Sequence, residues 1–189
     1  MGTAFAEFPV ECNVGWAEPG SAEFEGATMS DSDEVQIEAA LTATDEVRSL
    51  VDELETVLAA EYPPEQRHGL AVDAIFQPHV RFFVARLRGA AVGCGGVALF
   101  PDFAEVKRMY VRDGARRNGV AGAILARIEE EVRSAGLSRL RLETGVRQVA
   151  AMRLYTRTGF RECPAFGAYA LKAPRSIASS VFLEKRIGT

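Results

Sequence analysis

From residue 35 onward the apolar and polar positions fall into a regular order. The stretch "VQIEAAL" alternates, which predicts a strand. Thr44-Asp45 has the chemistry of a helix start, and Val47, Leu50, Val51, Leu54, Val57 and Leu58 form one apolar stripe at helical spacing. Tyr62-Pro63-Pro64 ends that helix, and "EQRHGLAVDAIF" predicts a short second one. "VRFFVARL" and "AVGCGGVAL", joined at Arg88-Gly89, predict a hairpin, and a turn at Phe100-Pro101-Asp102 leads into a strand over 103–111. A helix over 118–135 then places Val120, Ala121, Ile124, Leu125, Ile128 and Val132 on one side and stops at Gly136. "SRLRLET" predicts a strand, "VAAMRLYTRTG" a helix stopped by Gly159, and "SSVFLEKRI" a last strand. Residues 103–144 thus read as strand–helix–strand, a parallel crossover expected to be right-handed, and the hairpin before it makes the sheet mixed. The fold class is α/β in the broad sense, with strands and helices interleaved.

Residues 1–33 carry no such period. Rich in Gly, Ser, Pro and Glu, they read as an acidic extension outside a single domain over 34–189, and Met29 is an alternative start. A chain of 189 residues that is 48% hydrophobic suits one buried core. No apolar run is long enough to cross a bilayer, and the N-terminus lacks the basic and apolar regions of a signal peptide, so a cytoplasmic protein with no membrane partner is expected. Three cysteines without paired spacing and only two histidines argue against a disulfide framework and against a metal site. The net charge of −4 hides an asymmetry: residues 1–47 hold eleven acidic side chains and no Lys or Arg, which leaves the remainder basic. That basic body could serve an anionic ligand, or its arginines could simply solvate helix faces. Nucleic acid is the last-ranked partner, because no aromatic stacking platform or known basic motif accompanies the arginines.

The loop "RRNGVAG" (116–122) joins the strand over 103–111 to the helix that follows. The first turn of a helix leaves about four N–H groups without an internal partner, and the helix dipole adds about half a positive charge there. Gly119 and Ala121 lack the bulk that would keep a ligand from those groups, and Arg116 and Arg117 add forked donors suited to phosphate oxygens. Three or four hydrogen bonds to a charged group, at about 1.5–3 kcal/mol each, give about 5–12 kcal/mol gross, enough to anchor a pyrophosphate after the costs of association. The loop lacks the lysine-hydroxyl ending of a nucleotide P-loop and the three glycines of a dinucleotide fingerprint.

The spacing arginine-x-x-glycine-x-alanine (Arg116, Gly119, Ala121) resembles the coenzyme A loop of the GCN5-related N-acetyltransferase (GNAT) superfamily. "RQVAAMRLYTRTGF", with Gln148, Ala151, Leu154, Tyr155, Gly159 and Phe160, resembles that superfamily's second signature, whose first position is usually asparagine. The phrases "YPPEQRHGL", "EVKRMYV", "RLETGVRQ" and "EKR" look like a bacterial subgroup of small stand-alone acetyltransferases. The resemblance implies a mixed, mostly antiparallel sheet with one splayed parallel pair and helices on both faces. It implies acetyl-CoA as acyl donor, held by Met109, Tyr110, Val111, Arg116, Arg117, Asn118, Gly119, Val120, Ala121, Gln148, Ala151 and Tyr155, with no metal. Tyr155 is the candidate acid for the departing thiolate, set against a plain core aromatic; Glu105 is the candidate base, set against a strand glutamate paired with Lys107 or Arg108; Glu143 is a second base candidate. Alternation would put Glu105 on one face with Lys107, Met109 and Val111. The acceptor, expected to be a small-molecule primary amine, would meet Arg67, His68, Glu143, Phe166 and Tyr169, with Arg67 or Arg175 available for an acceptor carboxylate. Two alternatives stay open: an acyl-CoA-binding or partner-binding module without turnover, and acetylation of a protein amine. Many relatives dimerise, and the sequence leaves the oligomeric state open.

Overall fold

Among the described residues the pattern resolves into seven strands and three α-helices. The chain is described by a computed structural model over residues 34–188, so the acidic extension and Met29 lie outside the described residues. The strands are β1 (Gln36–Ala39), β2 (Val80–Leu87), β3 (Ala90–Leu99), β4 (Ala104–Val111), β5 (Arg139–Gly145), β6 (Arg161–Glu162) and β7 (Ser180–Arg186). They form one sheet in the order β1-β2-β3-β4-β5-β7-β6, antiparallel throughout except for the β4–β5 pair. The helices are α1 (Asp45–Glu61), α2 (Val120–Ser134) and α3 (Val149–Arg157). Thr44 caps α1 by accepting the Val47 N–H on its hydroxyl at 3.3 Å.

Two main cores flank the sheet, and a third, smaller cluster gathers Phe103, Phe166, Tyr169 and Phe182. On one face Val47, Leu50 and Val51 of α1 pack with Phe82, Val84, Ala91 and Cys94. On the other, Ile124, Leu125, Ile128 and Val132 of α2 and Tyr155 of α3 pack with Phe83, Ala85, Val97 and Val106. The alternation in β2 is what supplies both cores at once. The expected second helix over "EQRHGLAVDAIF" is instead two 3-10 turns, Pro64–Gln66 and Val72–Phe76. Proline opens the first turn and Gly69 separates the two, leaving each piece too short to propagate as α-helix.

Strand β4 departs from simple alternation. Tyr110 pairs with Cys94 and Lys107 with Gly96, so the single Gly95 opposes both Arg108 and Met109. Arg108 takes a left-handed φ of 56° at this bulge. Met109 and Val111 therefore join the α2 core, Tyr110 joins the α1 core, and Arg108 reaches Glu55 of α1. Glu105 and Lys107 consequently do not share a face with Met109 and Val111, contrary to uninterrupted alternation. Gly95 makes the bulge possible, since a Cβ there would meet Met109 Sδ at 2.5 Å and Ile124 Cγ2 at 2.7 Å. Parallel pairing of β4 with β5 is confined to Ala104 with Leu140 and Glu105 with Arg141. Beyond that point the two strands part, and the gap they leave holds the candidate site.

Candidate active site

On the α2 side the gap opens into a cleft of about 440 Å³. Its walls include Met109, Tyr110 and Val111 from β4, Arg116, Arg117, Gly119, Val120 and Ala121 from the basic loop and α2, and Gln148, Ala151 and Tyr155 from α3. The start of α2 carries no side-chain cap and no acidic residue in its first turn, so its N–H groups are left for a ligand. Gly119 sits at φ 79° with open space where a Cβ would point, and Arg117 is also left-handed at φ 70°. Arg116 pairs with the exposed Asp113 at 2.7 Å. These features fit the pyrophosphate of coenzyme A on chemical grounds: unpartnered amides, a positive helix end and two arginines. Asn118 does not line the cleft; its amide folds back onto the carbonyls of Ala115 and Arg116 at 3.3 and 3.4 Å. Leu54, Val57, Leu154 and Arg157 do line it, beyond the residues that the sequence motifs point to. Arg157 follows Leu154 by three residues on the same helix, the one signal that could have placed it there.

On the α1 side the gap forms a second cavity of about 130 Å³. Arg67, His68, Glu105, Lys107, Glu143 and Tyr169 line it, together with Tyr62, whose sequence context marks only a helix stop. Glu105 is 4% exposed, and its Oε1 accepts from Lys107 Nζ at 2.6 Å and from the Tyr169 hydroxyl at 2.9 Å. Glu143 accepts the Ser180 hydroxyl at 2.6 Å; burial first, then Glu105, lifts its carboxyl above the ordinary glutamate range, against the opposing pull of Ser180, His68 and Lys107. His68 donates from Nε2 to the Ser176 carbonyl at 2.8 Å and meets the Tyr169 ring edge-on. Phe166 lies outside the cavity wall and packs edge-on against Phe103, Tyr169 and Phe182, with the Arg141 guanidinium over its ring. Arg67 pairs with Glu55 at 3.2 Å through Nη1 and leaves its buried Nε without a partner, and Arg175 is exposed and off the wall.

The two cavities share a wall made by Leu54, Met109, Gln148, Ala151 and Tyr155. Burial pushes the Tyr155 phenol well above its usual range, with Glu143 adding to the shift, so the hydroxyl keeps its proton at neutral pH. Gln148 donates to Glu61 at 2.6 Å, Arg147 donates to the Glu61 carbonyl at 3.1 Å, and the Tyr62 hydroxyl accepts the Arg147 N–H at 2.7 Å. The end of α1 is thereby tied to the β5–α3 turn across the mouth of the gap. Cys94, with its thiol pushed up to about 12 by burial, is a small core residue rather than a nucleophile. Among the described residues no group of three or more His, Cys, Asp or Glu could hold a metal, and no helix is long and apolar enough to cross a membrane.

A mixed sheet opened after one parallel pair, with an uncapped basic helix start beside the opening, is the architecture of the acetyltransferases built around coenzyme A. The acetyltransferase (GNAT) family model matches residues 45–160, and the chain belongs to that family. It is 43% identical over 98 residues, 51% of its length, to an "IAA acetyltransferase" of Azospirillum brasilense, and 32% identical over 96 residues, 50% of its length, to the uncharacterized N-acetyltransferase YsnE of Bacillus subtilis (strain 168). Each match spans 64% of the relative, so the chain covers under two thirds of either protein. A Klebsiella pneumoniae structure described as an acyl-CoA N-acyltransferase superposes with a TM-score of 0.64 at 30% identity, covering 82% of this chain and 98% of that one.

Proposed function

We propose that the protein is an acetyl-CoA-dependent N-acetyltransferase that passes the acetyl group directly to the primary amine of a small molecule. The observation that carries this reading is the shared wall: a donor cleft and an acceptor cavity meet at Tyr155 and Met109. The name of the Azospirillum relative, an "IAA acetyltransferase", supports acetyl transfer.

Bound acetyl-CoA supplies the activated acetyl group; the chain supplies position and proton traffic. The α2 amides with Arg116 and Arg117 hold the pyrophosphate, and the unpaired edge of β4 beyond Glu105 offers main-chain groups to the pantetheine arm and to the acetyl carbonyl. The base role passes from Glu105 to Glu143. Glu105 already accepts two donors, whereas Glu143 is held by a hydroxyl alone, and burial raises its proton affinity above that of an ordinary glutamate. Glu143 takes one proton from the acceptor ammonium and releases it to solvent. As the nitrogen–carbon bond forms and the carbon–sulfur bond breaks, Tyr155 gives its proton to the sulfur and recovers one from the nitrogen.

Calorimetric titration with acetyl-CoA tests the reading. Micromolar binding, weakened about tenfold or more by Arg116→Ala, is the expected result. No binding up to millimolar acetyl-CoA would remove the donor assignment.

A further inference from the structure

We propose that the acceptor is a small cationic amine that carries no carboxylate, seated with its ammonium on Glu143. The inference rests on the acetyl-transfer reading and deepens it. It follows from which charges of the acceptor cavity are already spent.

Three cations line that cavity, and each faces an anion. Lys107 Nζ lies 2.6 Å from Glu105, and Arg67 lies 3.2 Å from Glu55. Arg108 pairs with the same Glu55 and donates from Nε to the Leu70 carbonyl at 2.7 Å. His68 spends its Nε2 proton on the Ser176 carbonyl. Arg67 keeps one buried donor, Nε, without a hydrogen-bond partner, but each cation of the wall already stands in an ion pair, so an acceptor carboxylate would shed its water here without finding a free countercharge.

The acids are distributed differently. Glu55 and Glu105 have cation partners, but Glu143 accepts only the Ser180 hydroxyl and makes no ion pair within 4 Å among the described residues. It is the one carboxylate of the wall that lacks a countercharge, and an ammonium supplies it together with the N–H donors that its remaining lone pairs need. Tyr62, Tyr155 and Tyr169 line the same cavity, and aromatic side chains beside a carboxylate favour a cation over an anion. A volume of about 130 Å³ keeps the acceptor small.

Matched amines that differ by a carboxylate decide the matter: ethanolamine against serine, and putrescine against ornithine. For each, kcat/KM is measured with acetyl-CoA, and Kd is measured calorimetrically on the protein saturated with coenzyme A. The carboxylate-free member of each pair should lead by about tenfold or more in both quantities. Glu143→Gln should weaken binding of both members of each pair by about tenfold or more, and Glu143→Asp, which keeps the charge, should retain part of that affinity. Equal or better performance by the carboxylate-bearing members overturns the proposal, as does an amine affinity that is unchanged in Glu143→Gln. Acetyl-CoA binding with no amine of either series bound or acetylated also overturns it. Failure of acetyl-CoA itself to bind would instead remove the transfer reading beneath it.

Discussion

Replacing Gly145 by alanine should strain the contact by which Tyr62 reaches β5 from the end of α1. A Cβ at position 145 would overlap the Tyr62 hydroxyl and Cζ and come to 2.8 Å from Cε2. Gly145 is not among the left-handed glycines, so alanine suits its backbone and the cost falls on the ring. Tyr62 has little room to yield, being 5% exposed with its hydroxyl bonded to the Arg147 N–H at 2.7 Å. Overpacking costs about 1–3 kcal/mol, and loss of that hydrogen bond adds about 0.5–1.5 kcal/mol. The sum, about 1.5–4.5 kcal/mol, corresponds to a fall in Tm of roughly 3–18 °C for a domain of this size. Thermal and urea unfolding of Gly145→Ala, Tyr62→Ala and the double variant form the assay. With the ring gone the alanine methyl has space, so the penalty of Gly145→Ala should vanish and the pair should couple by about 1.5 kcal/mol or more. Additivity within about 0.5 kcal/mol would refute the steric argument. Because Tyr62 lines the acceptor cavity and not the donor cleft, Gly145→Ala should also raise KM for the amine while leaving acetyl-CoA affinity unchanged.

Tyr155→Phe should lower kcat by about 10²–10⁴-fold with acetyl-CoA affinity retained, as read by steady-state kinetics beside calorimetry; an unchanged kcat would assign the proton to another donor. Glu143 makes activity depend on pH: kcat/KM should rise as pH increases through an ionisation above the ordinary glutamate range, and Glu143→Gln should abolish that step. The groups that face Glu143 are Ser180, His68, Lys107, Glu105, Tyr62, Tyr155 and Tyr169, and a step that persists in Glu143→Gln would take the base role away from Glu143. The same burial has a sign for stability. The folded carboxyl binds its proton more tightly than the unfolded one, so stability falls as pH rises from 4.5 toward the raised value, and Glu143→Gln should gain in Tm relative to wild type over that window. Gly119→Ala puts a methyl on a left-handed residue at the lip of the donor cleft; about 1–2 kcal/mol of stability and a weaker acetyl-CoA titration are expected together, and an unaltered Kd would separate the loop from the pyrophosphate.

Much of this architecture is legible in one dimension, and the exceptions have causes. The α1 stripe reads correctly through Val47, Leu50, Val51 and Leu54, all buried. It misleads at Val57, 36% exposed, because the last turns of the helix overhang the gap between β4 and β5, where no sheet lies beneath them. The bulge on β4 leaves no trace in alternation, since it depends on Gly95 across the ladder and on a left-handed arginine. The Glu105–Lys107 pair could be weighed from i,i+2 spacing, but its third member, Tyr169, comes from sixty-four residues away. Arg67 shows the same limit: a basic residue in a loop reads as available until the fold sets Glu55 against it. Local periodicity sees neighbours on one element, while the polarity of a cavity is decided by partners from several.

The partition between donor cleft and acceptor cavity also limits how the protein can be altered. Changes at Leu54, Met109, Gln148, Ala151 or Tyr155 cannot widen one compartment without deforming the other, so directed evolution toward new acceptors should stall there through loss of donor affinity. Gln66, His68, Thr144 and Tyr169 touch the acceptor side alone. Diversity aimed at those four positions would explore new amines with the acetyl-CoA machinery left intact.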